Sequence, residues 1–121
     1  MNLLLIDKDG LPTKARKEIL TFRFHFNVES AETLDDVRVN FHAGKYDVII
    51  MNESFEIVAE ALEMIEQIDP EQRIVILDSD VAGERNLEYQ NRRYLALPVS
   101  IMELANVIRD FDYTGTKKPL E

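Results

Sequence analysis

Short apolar runs closed by polar residues alternate along this chain with stretches of helical period. The first, "LLLI" (3–6), stops at Asp7-Lys8-Asp9-Gly10, which predicts a strand running into a polar loop. Pro12 suits a helix first turn, and Ala15, Ile19 and Leu20 follow at helical spacing. "FRFHFNV" (22–28) alternates Phe22, Phe24, Phe26 and Val28 with Arg23, His25 and Asn27, the period of a half-buried strand. Ser30 is then expected to cap a helix carrying Leu34, Val37 and Phe41, which Gly44 ends. "KYDVIIMNES" (45–54) has a polar entry, an apolar and β-branched run, and an abrupt polar stop. It predicts a buried strand over 46–51.

The second half continues the alternation. "FEIVAEALEMIEQI" (55–68) places Ile57, Val58, Ala61, Leu62, Ile65 and Ile68 on one helical face. Glu56, Glu60, Glu63 and Glu66 or Gln67 fall on the other. Asp69-Pro70 stops that helix. "RIVIL" (73–77) predicts a fourth buried strand, ending in Asp78-Ser79-Asp80. A polar helix at about 83–91 follows Gly83, and "RYLAL" (93–97) makes a fifth strand up to Pro98. Ser100 caps a last helix through Ile101, Leu104, Ala105, Ile108 and Phe111.

Five strands alternating with five helices imply one α/β domain: a parallel sheet with helices on both faces, joined by right-handed crossovers. Residues 1–111 form that domain, and 112–121 read as a tail or the start of a linker, with Leu120-Glu121 as a cloning remnant. In open parallel sheets, ligands sit past the carboxyl ends of the strands. Asp7, Asn52 and Asp78 stand at those ends for strands one, three and four, and converge on one crevice if the strands are central neighbours. The residue at the middle of that crevice, Asn52, carries no charge and is a poor nucleophile.

Charge and composition narrow the function classes. A net charge of −9 argues against a nucleic-acid surface, which needs clustered Lys and Arg, and against adhesion to anionic lipid. The absence of cysteine excludes a disulfide framework, a thiol nucleophile and a thiolate metal site, and suits a cytoplasmic protein. "MNLLLIDKDG" lacks a basic leader and reaches Asp7 too soon for a signal peptide, and nothing approaches membrane-spanning length. His25 and His42 are far apart without ligand spacing, so no histidine metal site is expected. The Glu56/60/63/66 stripe is expected to be a solvated face.

The order of elements and the strand ends resemble the receiver domain of two-component response regulators, over residues 1 to about 111. The pieces that carry the resemblance are "LLLIDKD", "KYDVIIMN", "RIVILDS" and "YLALPVS". The resemblance implies a flavodoxin-like three-layer sandwich. It also implies a site in which two acids after strand one and an Asp after strand three hold Mg²⁺, while that third-strand Asp accepts a phosphoryl group. A hydroxyl after strand four and a Lys after strand five bind the phosphoryl oxygens.

Carried over residue by residue, the reaction's groups are missing. Asp7 keeps the first acid, but Lys8 stands in place of the second, with Asp9 displaced by one. Asn52 falls on the phospho-acceptor position and cannot form an acyl phosphate. Asp78 falls on the hydroxyl position, with Ser79 offset beside it, and Leu97 replaces the lysine before Pro98. Tyr94 matches the aromatic switch position, and Pro98 the proline that usually follows a cis peptide. "NESFEIV" also enters the third helix without the usual Pro/Gly loop, and "YQNRRY" replaces a small-residue turn before strand five.

The expectation is therefore an atypical receiver, not an enzyme, that signals by protein interaction without phosphorylation. Mg²⁺ binding is expected to be lost or weak, with Lys8 contacting a pocket carboxylate in place of metal. Partners are expected to be proteins of a signalling pathway or a second copy of the chain. The receiver resemblance places that contact on the face of the 83–91 helix, the fifth strand and the last helix, where Tyr89, Arg92, Arg93 and Tyr94 lie. The alternative is a conventional phosphoryl-accepting regulator using a displaced carboxylate, Asp9, Asp78 or Asp80. A nucleotide-binding flavodoxin-like domain is disfavoured, because Gly10 stands alone where a phosphate loop needs several glycines.

Overall fold

A computed structural model of the chain describes residues 1–8, 10–78 and 91–113, with the backbone alone at 112 and 113. The elements are β1 (Asn2–Ile6), α1 (Leu11–Phe22), β2 (Asn27–Ala31), α2 (Leu34–Asn40), β3 (Val48–Asn52), α3 (Val58–Ile68), β4 (Ile74–Asp78), β5 (Arg92–Ala96) and α4 (Ile101–Tyr113). The five strands form one sheet in the order β2-β1-β3-β4-β5, and every neighbouring pair is parallel. The helix expected at 83–91, together with Asp9, Ser79, Asp80 and Tyr89, lies outside the described residues.

Alternation along the central strands builds two apolar layers. Leu3, Leu5, Val48, Ile50, Val75 and Leu77 face one side, against Leu20 of α1 and Leu104, Ile108 and Phe111 of α4. Leu4, Ile6, Ile49, Met51, Ile74 and Ile76 face the other, against Val37 of α2 and Val58, Ala61 and Ile65 of α3. The result is the expected three-layer α/β sandwich, with four helices among the described residues. None of these helices is long and apolar enough to cross a membrane.

Three local expectations need correction. The strand predicted at 22–28 is, up to Phe26, instead the end of α1 and a loop. The helical bond from Arg23 N–H to Ile19 C=O (2.9 Å) carries the chain past Phe22, and β2 pairs with β1 only from Asn27. Phe24 and Phe26 are buried as a ring pair (centroids 6.2 Å apart) with the Arg109 guanidinium over both. Between them His25 turns outward through a left-handed backbone (φ 61°). A loop that buries alternate aromatics thus imitates a strand's period.

The helix cap at Ser30 is the second correction. Ser30 pairs within β2, and Thr33 caps α2, accepting the Asp36 N–H at 3.0 Å. That helix ends at Asn40, four residues before Gly44, whose left-handed φ (83°) belongs to the following turn. Third, the phase of α1 differs: Thr13 and Leu20 are buried, whereas Ala15 and Ile19 are exposed. The Ser100 cap is observed, its hydroxyl accepting the Glu103 N–H at 3.0 Å. Helix α3 starts at Val58, because 55–57 form a turn in which the Val58 N–H bonds to Phe55 C=O at 3.0 Å.

Candidate functional site

The ladder carries the three predicted residues to one edge. Ile6 pairs with Met51 and Asn52 with Leu77, so the ends of β1, β3 and β4 lie side by side. Backbone bonds from Glu53 N–H to Leu77 C=O (2.8 Å) and from Leu97 N–H to Asp78 C=O (3.2 Å) extend that alignment past the strands. Asp7 and Asp78 are buried there, and Asn52 is half-buried.

Asn52 is held from both sides. Its Oδ1 accepts the Ser54 N–H (3.1 Å) and the Ser54 hydroxyl (3.0 Å). This local turn leaves its amide nitrogen facing Asp7, and Nδ2 donates to Asp7 Oδ2 at 3.4 Å. The turn-forming role and the site position coexist. A carboxylate at 52 would have nothing to donate and would repel Asp7.

The cation beside Asp7 comes from an unexpected place. Arg16, on α1, reaches Asp7 Oδ2 with Nη1 at 3.5 Å. Lys8 is exposed; its backbone N–H donates to Asp7 Oδ1 (2.8 Å), and its carbonyl accepts the Thr13 hydroxyl (2.8 Å). The expected contact between the Lys8 ammonium and a pocket carboxylate is replaced at Asp7 by Arg16. The signal was present in the sequence: Thr13, Arg16 and Leu20 share the inward stripe of α1. Asp7, Lys8, Gly10, Thr13, Asn52 and Ser54 line a shallow cleft of about 220 Å³. Among the described residues, no group of three His, Cys, Asp or Glu side chains is placed to hold a metal.

On the fifth strand, Leu97 packs into the apolar layer of α1 and α4, and Tyr94 packs against the opposite layer. The Leu97–Pro98 peptide is cis. Arg92 is buried and its guanidinium pairs with Glu66 of α3, so it is an internal brace and not an accessible contact residue. Glu66 accordingly does more than solvate a face. The Arg93 guanidinium lies over the Phe111 ring, 4.4 Å from its centroid.

No family model and no curated protein matches this chain. Solved structures do. A CheY-like response regulator receiver domain protein from Methanospirillum hungatei superposes with a TM-score of 0.79 at 18% identity, covering 98% of each chain. The receiver domain of a sensor histidine kinase from Pseudomonas aeruginosa, with magnesium coordinated in its active-site cleft, gives 0.72 at 18% identity, over 93% of this chain and 98% of that one. A Rhodopirellula baltica structure described as an adenylate cyclase gives 0.74 at 18% identity, over 93% and 87%. The fold is that of the receiver domains.

Proposed function

We propose that this chain is a receiver-type signalling module that works by binding a protein partner without accepting phosphate. The observation that supports this most is Asn52. The side chain at the carboxyl end of β3 is an amide, its oxygen engaged by Ser54 and its nitrogen by Asp7. An amide cannot form the acyl phosphate that a carboxylate forms. The surrounding groups lean the same way: Lys8 borders the cleft, and Leu97 is committed to the core.

The site is a poor match for Mg²⁺, which demands near-octahedral oxygen donors, usually including carboxylates. Asp7 Oδ2 instead meets two nitrogen donors, from Asn52 and Arg16. Those donors do part of the charge-balancing that a cation would do. Among the described residues of the cleft no nucleophile is paired with a base, which fits a binding module.

Incubation with acetyl phosphate and Mg²⁺, followed by intact-mass measurement, tests this. The mass is expected to stay unchanged. A gain of one phosphoryl group, mapped to Asp9, Asp78 or Asp80, would establish the conventional regulator with a displaced acceptor.

A further inference from the structure

The two most exposed large apolar side chains of the described residues, Leu11 and Phe22, lie on one helix, whereas Val39, Ile68 and Met102 stand singly on three others. On α1, Leu11 is 82% exposed, Phe22 75% and Ile19 37%, and Ala15 between them is exposed as well. Positions 11, 15, 19 and 22 fall within about a quarter of the helix circumference. They form a continuous stripe opposite the inward residues Thr13 and Leu20. Large apolar groups grouped this way mark a contact surface more often than scattered ones do.

We infer that this stripe is the contact between two copies of the chain, paired antiparallel along α1 about a two-fold axis. The evidence is self-complementarity in both size and charge. An antiparallel pairing centred near the middle of α1 sets Leu11 against Phe22 of the second copy, and Ala15 against Ile19. The small Ala15 at the crossing lets the two helices approach closely. A groove of about 370 Å³ beside Phe22, lined by Lys14, Lys17, Thr21 and Val28 among others, is open to receive Leu11 of the second copy.

Charge chooses the same pairing. Lys14 and Glu18 are both exposed and both flank the stripe on one side. A two-fold axis across the helices brings like flanks together, so Lys14 meets Glu18 of the second copy, and the reverse contact follows by symmetry. A parallel pairing would lose these cross contacts. The interface is independent of the phosphate question.

One helix pair buries less than about 1,200 Å², the range of weak, transient contacts, so half-association is expected near 100 µM, to order of magnitude. Sedimentation velocity of the full chain over a concentration series should show the mass moving from one chain towards two. Phe22→Asp, an exposed change whose folding circular dichroism confirms, should weaken association by about tenfold or more. Lys14→Glu and Glu18→Lys should each weaken it, and mixing these two variants should restore it, because each supplies the charge that the other needs. A mass fixed at one chain throughout, an association indifferent to Phe22→Asp, or no recovery on mixing would each overturn the antiparallel pairing.

Discussion

The two ends of the sheet hold their polar groups differently. At the amino end the contacts are short. The Tyr46 hydroxyl donates to Glu29 at 2.5 Å, and the Asn2 N–H donates to Asp47 at 2.7 Å. Gln72 bridges the Tyr46 and Arg73 carbonyls at 3.1 Å each, and Asn91 closes over the Gln72 carbonyl at 2.9 Å. At the carboxyl end, the two contacts to Asp7 Oδ2 are 3.4 and 3.5 Å, at the weak limit of hydrogen bonding. The shorter side-chain bonds described there are local ones: the Ser54 turn, the Lys8 N–H to Asp7 Oδ1 at 2.8 Å and the Thr13 hydroxyl to the Lys8 carbonyl at 2.8 Å. The amino end is a closure; at the carboxyl end the contacts to Asp7 Oδ2 are long enough that one substitution can change its electrostatics.

Asn52→Asp is the largest test of that difference. It removes the donor to Asp7 and puts a second carboxylate beside a buried one whose paired cation is Arg16. In chelator, the variant should lose about 2 kcal/mol in urea unfolding, and added Mg²⁺ should return part of the loss. Unchanged stability in chelator would mean that Asp7 and Asn52 do not share one electrostatic site.

Next, the amino-end closure is broken by Tyr46→Phe, which should cost about 1.5 kcal/mol for the lost bond to Glu29. The pH dependence carries its own sign. Burial chiefly, then the bond to Glu29 and that residue's charge, raise the Tyr46 hydroxyl well above its ordinary value. A raised acid keeps its proton in the folded state, so its contribution is complete below the unfolded tyrosine value of about 10 and is lost as pH rises beyond it. Wild type should therefore weaken more steeply than Tyr46→Phe above about pH 10 in equilibrium unfolding. Parallel curves would detach Tyr46 from the closure.

Arg16→Gln tests the loose end again at smaller scale. The pair with Asp7 is long but both side chains are largely buried, so its loss should cost about 1 kcal/mol, and added salt should shrink the difference little. A cost that vanishes in salt would make Arg16 an ordinary surface cation.

The sequence carried the fold further than the site. Strands β1, β3 and β4 are buried on both faces, so each appears as an uninterrupted apolar run, and their polar stops place Asp7, Asn52 and Asp78 correctly. Strand β2, at the sheet edge, has no such run; the aromatic loop before it offered a stronger period than the strand itself. The partner of Asn52 two residues on is a local turn of a readable kind. Arg16 was missed because the phase of α1 was set by Ala15 and Ile19, the apolar residues that the sheet leaves outside. The Arg92–Glu66 brace joins elements that no periodicity relates.

The smallest effect concerns the aromatic loop that precedes β2. His25 adopts φ 61°, a region in which a side chain costs about 1–2 kcal/mol relative to an unstrained backbone, although histidine tolerates it better than most. The buried Phe24 and Phe26 on either side hold it there. His25→Gly relieves that strain but loses more chain entropy on folding, so the net gain should be only about 0.5 kcal/mol. His25→Val keeps a β-branched side chain in the same region and should instead cost about 1 kcal/mol. Opposite signs in thermal unfolding would show that two aromatic anchors impose the left-handed turn. Equal effects would mean that the loop relaxes to another path, and that the amino end is less tightly closed than its hydrogen bonds imply.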